Sequence, residues 1–186
     1  MKLLVACLIA MAIAVTFAAL FVYSGAFDIA ADVPHSELTV RLIEAVRDRS
    51  IAVRIKDIQV PALDDPHLIA EGAEHYAAMC AECHLAPGVD ETDIRDGLYP
   101  APPNLTKHIA ASAAEMFWVV KHGIKMSAMP AWGRTHDDRS IWGIVAFVQK
   151  IPELTPEQYQ ALVKPGDKSD HHDHQHSREH GGKHHE

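Results

Sequence analysis

At 186 residues the chain has room for one compact domain beside an apolar leader and a polar tail, which argues against a second large core. Its formal charge of -8, without clustered Lys or Arg, argues against nucleic acid as a partner. Three cysteines, Cys7, Cys80 and Cys83, are too few for a disulfide-stapled scaffold.

The first element is apolar throughout. Leu3 to Tyr23 holds no charge, Gly or Pro, and about 20 helical residues at about 1.5 Å each cross a hydrocarbon layer ~30 Å thick. Residues 1–26 therefore read as a transmembrane anchor. The competing reading is a signal sequence: Ser24, Gly25 and Ala26 suit cleavage, although a signal core should run only about 7–15 residues. Leu4-Val5-Ala6-Cys7 has the residue types of a lipoprotein leader but precedes the apolar run, which leaves Cys7 as a small apolar residue in the bilayer. Lys2 and the amino terminus are expected inside, with Asp28, Asp32 and Glu37 beyond the span.

Residues 27–65 are expected to form a juxtamembrane helix and linker. From Ser36 to Arg49, Leu38, Leu42, Ile43 and Val46 are spaced for one helical face, with Arg41, Glu44, Arg47 and Asp48 on the others. Such a helix would space the domain from the bilayer. The domain proper is expected over residues 66–164. Asp65 is an N-cap and Pro66 a first-turn residue, opening a helix whose stripe Ile69, Ala73, Tyr76 and Cys80 leads into Cys80-Ala81-Glu82-Cys83-His84.

The loop Tyr99-Pro100-Ala101-Pro102-Pro103-Asn104-Leu105 carries three prolines that forbid continuous helix. Ser112-Ala113-Ala114-Glu115 is a capping box, starting a helix through Phe117, Trp118 and Val120 that stops near Gly123. A further helix runs from about Asp138, with Ile141, Ile144, Val145 and Val148 on one face, and ends at Ile151 before Pro152. Thr155-Pro156-Glu157-Gln158 opens a short helix that Pro165 terminates. No segment shows sustained strand alternation, so the predicted fold class is all-α.

Cys80-Ala81-Glu82-Cys83-His84 is a C-x-x-C-H motif. Two thiols one helical turn apart can form thioethers to haem vinyl groups, and the adjacent imidazole can bind the iron. The other readings are a zinc site and a redox dithiol. Zinc needs a fourth ligand from elsewhere and has no second Cys pair, while the dithiol expects a βαβ setting that is missing. Downstream, Gly123-Ile124-Lys125-Met126-Ser127-Ala128-Met129-Pro130-Ala131-Trp132 is a loop with two methionines between helices. A thioether ligand favours ferrous haem and raises its potential. Met129, stiffened by Pro130, is the expected sixth ligand, with Met126 and His122 as fallbacks. An isolated Met at a helix end is ordinarily core filler.

Together Gly72-x-x-x-Tyr76-x-x-x-Cys80-x-x-Cys83-His84, Pro102-Pro103-Asn104-Leu105 and Met129-Pro130-Ala131-Trp132 resemble the class I c-type cytochromes, in particular membrane-anchored bacterial monohaem members. The resemblance covers roughly Pro66 to Leu154. It implies a cytochrome c fold around one covalent haem c, held by Cys80 and Cys83, with His84 and Met129 on the iron. It also implies that Gly72 lets the first and last core helices touch, with Tyr76 beside it, and that a carbonyl near Pro102 or Pro103 accepts a hydrogen bond from His84. Trp118 and Arg95 are candidate partners of the haem propionates, Trp118 being equally suited to the core.

Beyond Pro165 the chain is polar, and residues 165–186 are expected to be a disordered tail. His171, His172, His174, His176, His180, His184 and His185 could bind transition metals there, or simply be solvated. The expected function is one-electron transfer between membrane or periplasmic redox proteins, without catalysis. The haem domain and C-terminus would stand in the periplasm, on the inner membrane of a bacterium. The rivals are a peroxidase-like haem enzyme, which would need an open iron site, and a metal-handling protein working through the tail.

Overall fold

The computed structural model describes residues 1–107 and 110–163. Helix α1, Lys2–Ser24, is exposed along its whole length and ends at Gly25, whose φ of 65° supplies the left-handed cap that glycine adopts freely. Among the described residues it is the one helix long and apolar enough to cross a membrane, with a mean hydropathy of 2.8. Helix α2, Glu37–Arg54, is capped by the Ser36 hydroxyl, which accepts from Thr39 N at 3.3 Å.

It runs past the expected end at Arg49 because its last turns have something to pack against. Ile51 is buried at 4 % exposure, and α2 touches the later helix Ala113–His122. Ile58 and Leu63 beyond it pack against Phe117, Ile141 and Val145. At the other end, His35 N donates to Tyr99 Oη at 3.1 Å. The helix therefore rests on the domain.

The remaining elements are helical: α3 (Pro66–Met79), α4 (Ala81–His84), α5 (Asp93–Asp96), α6 (Ala113–His122), α7 (Asp138–Val148) and α8 (Pro156–Val163), with 3-10 turns at Trp132–Arg134 and Ile151–Glu153. Among the described residues no strand occurs beyond one isolated bridge between Ala86 and Val89, and the fold is all-α as the sequence implies. The caps act as expected: Asp65 accepts from His67 N at 2.9 Å and Ser112 from Glu115 N at 3.2 Å. Asp137 starts α7 by accepting from Ser140 N at 2.8 Å.

Helices α3 and α7 form the spine. They approach so closely at Gly72 and Gly143 that a Cβ on Gly72 would stand 1.9 Å from Gly143 O. Around this crossing Tyr76, Ile144, Phe147, Val148, Ile151 and Tyr159 make the main core. A second apolar group, Phe117, Ile141 and Val145, closes α6 onto α7, with Trp142 stacked on Phe117 at 4.1 Å. Burying these side chains supplies the main stabilisation, at roughly 1.5–3 kcal/mol for each large apolar one.

Candidate functional site

The spine delivers the motif. Cys80 closes α3, its N–H bonding Tyr76 O at 2.9 Å, and one further turn carries Cys83 and His84, both of whose N–H groups point at Cys80 O. Cys80 and Cys83 thus sit a turn apart with free thiols, Cys80 buried and Cys83 partly so. Burial, reinforced by Cys83, pushes the Cys80 thiol up to about 12, so at neutral pH it is an uncharged group in apolar surroundings.

His84 is fixed from the side. Its Nδ1 lies 2.9 Å from Pro103 O. A carbonyl can only accept, so Nδ1 carries the proton and Nε2 keeps the lone pair. Burial lowers the His84 pKa, the Pro103 bond opposing this and Arg95 adding to it, which favours the neutral, ligating ring. The main chain is tied as well, since Leu105 N donates to His84 O at 3.1 Å.

Arg95 holds the two halves together. Its Nη1 donates to Cys83 O at 3.0 Å and to Pro102 O, so one guanidinium nitrogen clamps the motif helix to the proline loop. Thr92 Oγ1 adds a bond to Glu82 O. Arg95 is a candidate partner of the haem propionates; its Nη1 is bonded to the backbone. Trp118 is half-buried and lies against His122 at 5.0 Å, while its neighbour Phe117 is the one turned into the core.

The methionine loop is built on Gly123, whose φ of 65° leaves no room for a side chain: a Cβ there would stand 2.7 Å from Met129 O. Ile124 N donates to that same oxygen at 3.2 Å, and Met129 N donates to Ser127 Oγ at 3.2 Å. Met129 is half-buried by this folding. Met126, the first fallback, is 101 % exposed, and His122 is exposed on Trp118. The seven tail histidines lie outside the described residues.

This donor set fits a covalent haem. Two free thiols are spaced by a turn, an imidazole offers Nε2 beside them, and Leu105, Met116 and Val120 of the same cluster as Cys80 offer half-buried apolar surface. Among the described residues no group of three or more His, Cys, Asp or Glu side chains converges as a metal site.

Sequence reasoning missed Gly143, the Arg95 clamp and the Tyr76 bond to Leu85 O at 2.6 Å. Gly143 had a signal, being a glycine inside an otherwise apolar helix. The other two had none, because they depend on where loops return.

Residues 67–148 match the family described as cytochrome c oxidase, cbb3-type, subunit III. Among curated proteins, nothing matches the chain.

Proposed function

We propose, given that residues 67–148 are a class I c-type cytochrome domain, that this chain is a membrane-anchored, one-electron carrier with a single haem c. One haem follows from the single C-x-x-C-H motif. The haem supplies the redox couple; the chain's residues supply attachment, orientation and surroundings. Cys80 and Cys83 would hold it by thioethers. His84 Nε2 would bind the iron, since Nδ1 is committed to Pro103 O, and that bond would make the imidazole the more electron-rich donor.

Met129 would be the second protein ligand to the iron, carried by a loop whose backbone Gly123 and Ser127 hold in place. With His84 and Met129 both bound, the iron would have no position for a substrate, which favours the carrier reading over an enzymatic one. The observation that carries the proposal is the 2.9 Å contact between His84 Nδ1 and Pro103 O, which supports His84 as a ligand because it leaves the lone pair on Nε2.

Helix α1 anchors the chain, and the domain stands on the periplasmic side. The matching family is an oxidase subunit by description, so a membrane oxidase is the first partner class to try. The experiment is to express the full chain in cells that mature c-type cytochromes and record its spectra. A low-spin ferric form with a methionine–iron charge-transfer band is expected. A resting high-spin form would overturn the carrier reading, and a colourless protein with both thiols free would overturn the haem.

A further inference from the structure

Helix α2 packs on the domain with its smaller apolar side. At about 100° per residue, Leu38, Leu42, Ala45, Val46 and Val53 fall within an arc of about 100°, while Val40 and Ile51 fall opposite. The Ile51 side meets the domain. The broad side faces outward, with Leu38 at 77 %, Leu42 at 64 % and Val46 at 62 % exposure. An outward apolar face of this size on an otherwise acidic chain marks a contact surface.

Two arginines of α2 lie in or beside that face. Arg49 stands within it and Arg41 just beyond one edge, while Arg47, paired with Asp48 at 2.8 Å, and Arg54 lie away from it with Glu37, Glu44 and Asp48. Guanidinium groups on long stems beside an apolar face can lay those stems along acyl chains and reach the phosphates above. Exposed Phe27, Ile29 and Val33 continue the apolar track from the end of α1 to the start of α2. A two-fold contact between copies through the same face would bring Arg49 toward its own copy, an arrangement of like charges.

We infer that α2 lies in the headgroup layer of the bilayer that α1 spans, with Leu38, Leu42 and Val46 sunk into it, so that the haem domain is held on an anionic phospholipid surface. This rests on the reading of α1 as an anchor and adds an orientation to it.

The test uses the full haem-loaded chain in vesicles of phosphatidylethanolamine and phosphatidylglycerol. In a Cys7→Ser background, with the haem thiols already bonded, Leu42→Cys, Val46→Cys and Glu44→Cys each receive a benzophenone, and the photoproducts are identified by mass spectrometry. Lipid adducts at positions 42 and 46 at least about fivefold above position 44 are expected for a face sunk about 5–10 Å. Equal yields at the three positions, or covalent dimers in place of lipid adducts, overturn the inference. An alkaline carbonate wash separates the two readings. Protein retained in the membrane but lacking lipid adducts at 42 and 46 refutes the α2 orientation alone, whereas protein released by the wash refutes the anchor and the orientation with it.

Discussion

Replacing Gly72 with alanine should be among the most damaging single-methyl changes available in this domain. The added Cβ would stand 1.9 Å from Gly143 O, 2.3 Å from Gly143 C and 2.9 Å from Ile144 N, all backbone atoms of α7. No rotamer can relieve that, so α3 and α7 must separate by about 1.5 Å to restore ordinary contact, loosening Tyr76, Ile144 and Phe147 packed around the crossing. Overpacking of this kind costs about 1–3 kcal/mol, and rigid neighbours put it at the upper end. Alanine returns about 1 kcal/mol of helix propensity. A net loss of about 2 kcal/mol remains, equivalent to a fall in Tm of roughly 8–16 °C for a domain of this size.

Two controls bracket the estimate. Gly143→Ala meets Leu68 O at 3.0 Å and should cost less, and Gly97→Ala meets nothing closer than 3.6 Å and should be nearly neutral. Urea unfolding of the haem-loaded protein, followed by far-ultraviolet circular dichroism, measures all three. A Gly72→Ala protein as stable as the parent would refute the crossing as described.

Met129→His should lower the reduction potential while the haem stays attached, and Met126→Ala, at a fully exposed side chain, should leave potential and spectrum unchanged; redox titration checks both. Arg95→Ala removes the donor shared by Cys83 O and Pro102 O and should cost about 1–3 kcal/mol in urea unfolding. Asp137 has its pKa lowered, first by its bond from Ser140 N. A depressed folded-state pKa adds stability above the ordinary aspartate range that is lost as pH falls through the folded value. Acid unfolding of Asp137→Asn, which still accepts from Ser140 N, should therefore lack this part of the pH dependence.

The helices were legible where local chemistry decides them. Asp65, Ser112 and Asp137 all act as side-chain caps, and the prolines of the loop from Tyr99 to Leu105 keep that stretch free of helix. The ends that moved were decided by distant contacts. Helix α2 outran its amphipathic pattern because Ile51 found a place on the domain, and α7 stopped at Val148, with Ile151 turning into a 3-10 segment. The same division holds at the site. The motif itself is contiguous in sequence, so spacing alone reveals it, whereas Arg95 reaches it from α5, and Pro103 and Leu105 only after the chain has returned through the proline loop.

That return explains a cost the motif carries. Leu85, just after His84, is held at a φ of 67°, a region that disfavours a branched side chain by about 1–3 kcal/mol. The chain tolerates it because every group there is engaged: Leu85 N bonds Ala81 O at 2.8 Å, Leu85 O takes the Tyr76 hydroxyl at 2.6 Å, and its side chain is 2 % exposed. The consequence is a sharp reversal immediately after the imidazole, which sends the chain away so that the proline loop can approach His84 from the side. Tyr76 stands on α3 one turn before Cys80, one turn past Gly72. One helix thus bears the close crossing, the hydroxyl that holds the reversal and the first thiol, so the packing of α3 on α7 and the aim of His84 Nε2 are a single mechanical problem.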